Sequence, residues 1–120
     1  MQEIIEILKR IRMPLVRLES EVVDRIKEEL DRAGIEYKSE VRIAPRCRVD
    51  LLAAGGVAIE VKKGKPNSKV AARQVARYAA AKGVNAVILV SERGLMSHIE
   101  ESSGKPIGYV ALSRNWGLTV

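Results

Sequence analysis

The chain has no phenylalanine, one tryptophan, one histidine and one cysteine, and aromatic residues make up 3% of its 120 positions. Each scarcity removes a class of function. Without an aromatic-rich surface there is no platform for stacking successive unpaired bases, which argues against a single-strand reader and leaves DNA and RNA both open. The lone Cys47 rules out an internal disulfide framework and suits a reducing compartment, so a cytoplasmic location is expected. On a strand it reads as a small apolar filler rather than a nucleophile. His98 has no second ligand at metal-binding spacing. No apolar run approaches the ~20 residues that span a bilayer, so no membrane partner is expected. Glu3 and Glu6 among the first isoleucines are foreign to a signal peptide. The glycine- and lysine-bearing stretch from Gly56 to Lys65 does not fit the G-x-x-x-x-G-K-[ST] phosphate loop, and no nucleophile elbow or Ser-His-Asp set is present.

What is present is charge on an apolar frame. Hydrophobic residues make up 47% of the chain and charged residues 30%, with a formal net charge of +6. The apolar content predicts one folded domain over residues 1–120. The basic excess suits a polyanionic partner.

Residues 2–12 carry Ile4, Leu8 and Ile11 at helical spacing, widened by Ile5 and Ile7, which predicts a helical extension over 1–14 ending at Pro14. Its stripe is expected to cover the domain's own core rather than a second subunit. Leu15 to Ala33 is the strongest helical pattern, closed by Gly34. Glu19 falls within its apolar face, whereas Glu21 points more to solvent. Alternation from Ile35 to Ile43 predicts the first strand, and Ala44-Pro45-Arg46 a break. A helix over Lys69–Lys82 is predicted after an Asn67 or Ser68 cap. Its Lys69, Arg73 and Arg77 recur every four residues. The apolar run Val84–Val90 reads as a buried strand, parallel to Val57–Val61 and reached by a right-handed crossover. A short helix around Leu95–Glu101 and a strand over Ile107–Leu112 follow, and Trp116 lies in a tail with no clear assignment.

The chemistry concentrates between Arg48 and Lys62. Val49–Ala53 and Val57–Val61 read as a β-hairpin joined at Gly55-Gly56. A two-residue loop would set Asp50 opposite Val61. A three-residue loop, Ala54 to Gly56, sets Asp50 opposite Glu60 and Arg48 opposite Lys62, with all four on one face. The three-residue register is the predicted one. Two facing carboxylates within strands repel, and a divalent cation between them removes the repulsion.

Asp50 followed on the next strand by Glu60-Val61-Lys62 resembles the D…(D/E)-x-K signature of the PD-(D/E)XK nuclease superfamily. Its Glu-Val-Lys form is similar to that of archaeal Holliday junction resolvases and small restriction-type endonuclease domains. The resemblance covers roughly residues 15–91. The proline that usually precedes the aspartate is replaced by Val49. The fold it implies is α/β, a restriction endonuclease-like core with a mixed central sheet of about five strands flanked by helices. The implied activity is metal-dependent endonuclease cleavage of DNA, selective for branched or junction DNA among some relatives and carried out by a homodimer. Asp50 and Glu60 would hold Mg²⁺ or Mn²⁺ with the Val61 carbonyl, and Glu19, or in reserve Glu21, would bind the metal or its water. Lys62 would position the attacking water or neutralise developing charge; beside anions it keeps its proton, which favours the stabilising role. Gln74 with Tyr78 is similar to a Gln–aromatic pattern of several branches and is assigned an orienting role. Arg48, Lys63, Lys65, Lys69, Arg73 and Arg77 are the expected DNA contacts. Two rivals are a DNA-binding module that kept the fold without catalysis, and an interaction protein whose acidic cluster is a salt-bridged core.

Overall fold

The computed structural model of the chain describes residues 1–12, 18–64, 67–93 and 100–112. The elements in chain order are α1 (Gln2–Lys9), α2 (Glu19–Arg32), β1 (Tyr37–Ala44), β2 (Cys47–Ala53), β3 (Val57–Lys62), α3 (Ser68–Ala79), β4 (Ala86–Ser91), β5 (Glu101–Ser102) and β6 (Lys105–Ala111). The strands form one mixed sheet in the order β1-β2-β3-β4-β6-β5. The two most apolar segments, β3 and β4, take its centre and run parallel, and β4 and β6 are also parallel. The remaining pairs are antiparallel. Among the described residues the fold is therefore α/β, with a mixed sheet of six strands and helices on both faces, in keeping with the expected mixed sheet of about five.

Strand alternation divides the core in two. Ile59, Val61, Ile88 and Val90 face α1 and α2, meeting Ile4, Leu8, Val22, Ile26 and Leu30. Ala58, Val87 and Leu89 face the other way, against Ala71, Val75 and Tyr78 of α3. Each large side chain so buried contributes about 1.5–3 kcal/mol. The α1 stripe is spent within the domain, as expected. A Cβ at Gly108 would stand 2.7 Å from Ile5 Cδ1, so the missing side chain on β6 lets α1 lie close against the sheet.

Asn67 caps α3, its Oδ1 accepting the Lys69 and Val70 N–H groups at 3.0 and 3.1 Å. Asn67→Ala should lower the unfolding free energy by about 1 kcal/mol in urea titration; no change would mean that water serves these donors equally well.

Several predicted boundaries shift. The second helix begins at Glu19, because Leu18 is extended (φ −131°, ψ 145°) and the Glu21 carboxylate reaches back to accept its N–H at 3.0 Å. Residues 15–17 and Pro14 lie outside the described residues. The first helix ends at Lys9, and α3 at Ala79 instead of Lys82. The predicted helix around Leu95–Glu101 is corrected at its end. Glu101 belongs to β5, which turns into β6 through Ser103 and Gly104, both left-handed at φ 53° and 74°. That is the geometry of a tight hairpin turn. Residues 95–99, including His98, and Trp116 are outside the described residues. No described helix is long and apolar enough to cross a membrane.

Candidate active site at the open end of the central hairpin

The three-residue loop is present. Ala53 pairs with Val57, Leu52 with Ala58 and Leu51 with Ile59, and both Gly55 and Gly56 are left-handed. The same register sets Asp50 opposite Glu60, but there the backbone ladder stops. The Asp50 N–H is accepted by Glu60 Oε1 at 3.1 Å, and the Val61 N–H by Asp50 Oδ2 at 2.8 Å. Side-chain oxygens thus stand where backbone carbonyls would, and the two strands part like a fork with a carboxylate on each prong.

A change of face explains why the fork opens here. Tyr37 on β1 and Leu51 and Ala53 on β2 pack toward α1 and α2. Val41 and Ile43 on β1, and Cys47 and Val49 on β2, pack toward α3. Unbroken alternation would put all these odd-numbered residues on one face. The switch falls at Glu40 and Asp50, and Glu40 has the left-handed φ of 51°. The expectation that Arg48 shares a face with Asp50, Glu60 and Lys62 is therefore corrected. Arg48 is exposed, and its guanidinium lies 3.8 Å from Glu40 instead.

Glu60 is 6% exposed, so its neighbours decide its state. Its Oε2 lies 3.4 Å from Lys62 Nζ and accepts from Gln74 Nε2 at 3.3 Å. The same Gln74 nitrogen donates to the Tyr78 hydroxyl at 2.8 Å, and that hydroxyl donates to the Arg48 carbonyl at 3.5 Å. Gln74 Oε1 is buried with no hydrogen-bond partner. Burial, and then the Asp50 charge, push the Glu60 carboxyl up to about 7, against the opposing pull of the Asp50 N–H and Lys62. Burial also raises Asp50, opposed by the Val61 N–H, while the negative charge of Glu19 adds to the rise. Burial raises the Cys47 thiol too, as befits an apolar filler.

Glu19 does not sit in the buried part of its helix face. It is exposed at the first position of α2, where Oε2 accepts the Lys63 N–H at 2.7 Å. It is nonetheless close enough to Asp50 for its charge to be felt there. Glu21 is occupied at the α2 cap. Sequence reasoning missed Glu92, whose Oε1 accepts the Gly64 N–H at 3.0 Å. The signal was available: Lys62 pairs with Ser91 across the parallel strands, so the next residue on β4 adjoins the segment after Lys62. Glu19 and Glu92 together fix the backbone just beyond the motif.

Two facing, desolvated carboxylates suit a hard cation, which relieves their repulsion and is satisfied by oxygen. Among the described residues no group of three or more His, Cys, Asp or Glu side chains is placed to hold a metal ion. The donor set is Asp50 and Glu60, with Glu19 near Asp50. The Val61 N–H is turned toward β2, where Asp50 Oδ2 accepts it, and a regular strand residue directs its C=O to the same side as its N–H. An open set of this kind fits Mg²⁺ or Mn²⁺, and Mg²⁺ usually keeps several of its waters.

Of the expected DNA contacts, Arg48, Lys63, Lys69, Arg73 and Arg77 are exposed, the last three on the outer side of α3, and Lys65 lies outside the described residues. A separate concavity lined by Asp31, Tyr37, Leu52, Ala53 and Gly56 lies at the closed end of the hairpin and includes neither Asp50 nor Glu60. Comparison with protein-family models, curated proteins and solved structures finds no match to this chain.

Proposed function

We propose that the chain is a metal-dependent endodeoxyribonuclease that hydrolyses DNA phosphodiester bonds with Mg²⁺ or Mn²⁺. The observation carrying this reading is the Asp50–Glu60 pair at the fork, Glu60 buried and Asp50 half-buried, with the Lys62 ammonium 3.4 Å from Glu60. Asp50, Glu60 and the Val61 carbonyl would hold the cation, and Glu19 a water of its shell. When bound, the metal supplies Lewis acidity toward a phosphate oxygen and lowers the pKa of a coordinated water. The protein's own groups do the rest. Lys62, with its Nζ 3.4 Å from Glu60 Oε2, places a positive charge where the phosphate gains negative charge. Gln74, held by Tyr78, fixes the Glu60 carboxylate in one orientation. Lys63, Lys69, Arg73 and Arg77 attract the backbone without reading sequence. A homodimer acting on branched or double-stranded DNA in the cytoplasm completes the proposal, by analogy with the family that the Asp50…Glu60-Val61-Lys62 motif resembles.

The test is cleavage of linear duplex, single-stranded and four-way-junction DNA with each metal, comparing wild type with Glu60→Ala and Lys62→Ala. Cutting that requires metal and falls by about 10²–10³ or more in each variant is the expected result, the scale seen when one charge-stabilising group is removed. Metal-insensitive binding without cutting on any substrate would replace the nuclease by a DNA-binding module.

A further inference from the structure

The two faces of the sheet carry opposite charge. Helix α2 has six acidic residues against three basic ones, and α3 has three basic residues and no acid. The cations also differ in company. On α2, Arg25 pairs with Glu28 and Glu29 at 3.3 and 3.1 Å, and Arg32 with Glu29 at 2.8 Å. On α3, Lys69, Arg73 and Arg77 are exposed, and none has an ion-pair partner among the described residues. Like charges four residues apart on one helix destabilise it modestly, so α3 carries an unrelieved repulsion along its length. An anion of matching period relieves it.

The period identifies the anion. Residues four apart on a helix are separated by roughly 6 Å along its axis, comparable to the step between neighbouring phosphates of one nucleic-acid strand. Beside the cations runs a second row, Ala72, Ala76 and Ala80, also four apart and partly or fully exposed. With nothing bulkier than a methyl group there, a sugar-phosphate backbone can lie flush against the helix. A lipid surface fits less well. An interfacial helix needs a free apolar face, and the apolar face of α3, with Ala71, Val75, Tyr78 and Ala79, is buried in the domain.

We infer that the outer face of α3 is a rail for one strand of nucleic acid, on which Lys69, Arg73 and Arg77 each hold one of three consecutive phosphates. This deepens the nuclease reading and rests on it for the identity of the polyanion. The rail and the carboxylates share α3, because Gln74 follows Arg73 in sequence and reaches Glu60 from the inner side. The strand held on the rail is thereby brought to the helix that orients the metal-binding pair.

Salt dependence counts the contacts. Each phosphate neutralised on duplex DNA contributes about 0.9 to the slope of log affinity against log salt. Binding of labelled duplex DNA, followed by anisotropy in chelator so that no cleavage occurs, should lose about 0.9 of slope for each of Lys69→Gln, Arg73→Gln and Arg77→Gln. The triple variant should lose about three times that, equally on unrelated sequences. Arg25→Gln, on the opposite face, should leave the slope unchanged. An unaltered slope in the α3 variants, or an equal loss in the Arg25 control, overturns the rail. Loss of binding to phosphatidylserine-containing vesicles, with DNA binding intact, also overturns it and assigns the face to a membrane. The two proposals fail separately. Glu60-dependent cleavage with an unchanged slope sinks the rail alone, whereas the predicted slopes without any cleavage sink the nuclease and keep the rail.

Discussion

Glu60→Gln is expected to stabilise the metal-free protein above pH 7 and to abolish its stabilisation by metal. The Glu60 carboxyl is raised from 4.5 to about 7 in the fold, chiefly by burial and then by Asp50. The sign follows from linkage. Below the unfolded value both states hold the proton and the group costs nothing. Between the two values the unfolded chain ionises first, so stability falls as pH rises, and above about 7 the full penalty applies. The loss is on the order of 3 kcal/mol. The amide keeps an oxygen for the Asp50 N–H. Its new N–H groups can be met by Gln74 Oε1, which is buried and unpartnered, after a turn of that carboxamide. Chemical denaturation across pH 4.5–8 in chelator checks the prediction. The gap between variant and wild type should open with pH and level off near 7. Mn²⁺ should then raise the melting temperature of wild type at pH 8 far more than at pH 5, where protons compete for the same oxygens, and should leave the variant unmoved. Parallel pH curves for the two proteins would mean that the pair carries no such penalty, and the case for a cation between them would go with it.

The legible part of this site is the part fixed by short-range rules. Gly55 and Gly56 are the residues a three-residue hairpin needs at positive φ, and the loop length then fixes which residue faces Asp50. The buried central strands were legible for the same kind of reason, since β4 is an almost continuous apolar run and β3 is one interrupted by Glu60. What stayed hidden depends on neighbours. The change of face at Glu40 and Asp50 requires a glutamate in the left-handed region, and no local preference assigns it there. Arg48 was misplaced because its side was counted through that switch. The start of α2 was missed because Leu18 has no capping oxygen of its own, and Glu21 supplies one from three residues on. The Ser103-Gly104 turn was a different kind of miss. Its glycine is a turn signal, and the polar residues before it were read as the end of a helix.

The closed end of the hairpin should prove as sensitive as the open end, at Gly56 rather than Gly55. Both are left-handed, at φ 86° for Gly55 and 76° for Gly56, so a side chain at either meets a backbone cost of about 1–2 kcal/mol. Their surroundings differ. An added Cβ at Gly55 meets nothing within 4 Å, whereas at Gly56 it would stand 2.7 Å from Asn85 Nδ2 and 2.9 Å from the Gly83 carbonyl. The carbonyl belongs to the backbone and yields only if the segment before β4 moves. That segment is tied to the turn at three points. The Gly56 carbonyl accepts the Asn85 and Ala86 N–H groups at 2.7 and 3.3 Å, and Asn85 Nδ2 donates to the Gly55 carbonyl at 2.8 Å. Gly56→Ala therefore strains the link that brings β4 into parallel register with β3, and the N–H of Ala86, a buried residue, adds about 1–3 kcal/mol if left unsatisfied. The expected loss is about 3 kcal/mol or more for Gly56→Ala and about 1–2 kcal/mol for Gly55→Ala, read as the difference in unfolding free energy in urea. Because Glu60 lies four residues along the same strand, whose register with β4 begins at Val57 and Ala86, a folded Gly56→Ala protein should also show weaker stabilisation by Mn²⁺. Equal losses for the two alanines would show that the close approach of turn and β4 does not set this register. The anchor for the carboxylate pair would then have to be sought in the packing of Ile59 and Val61.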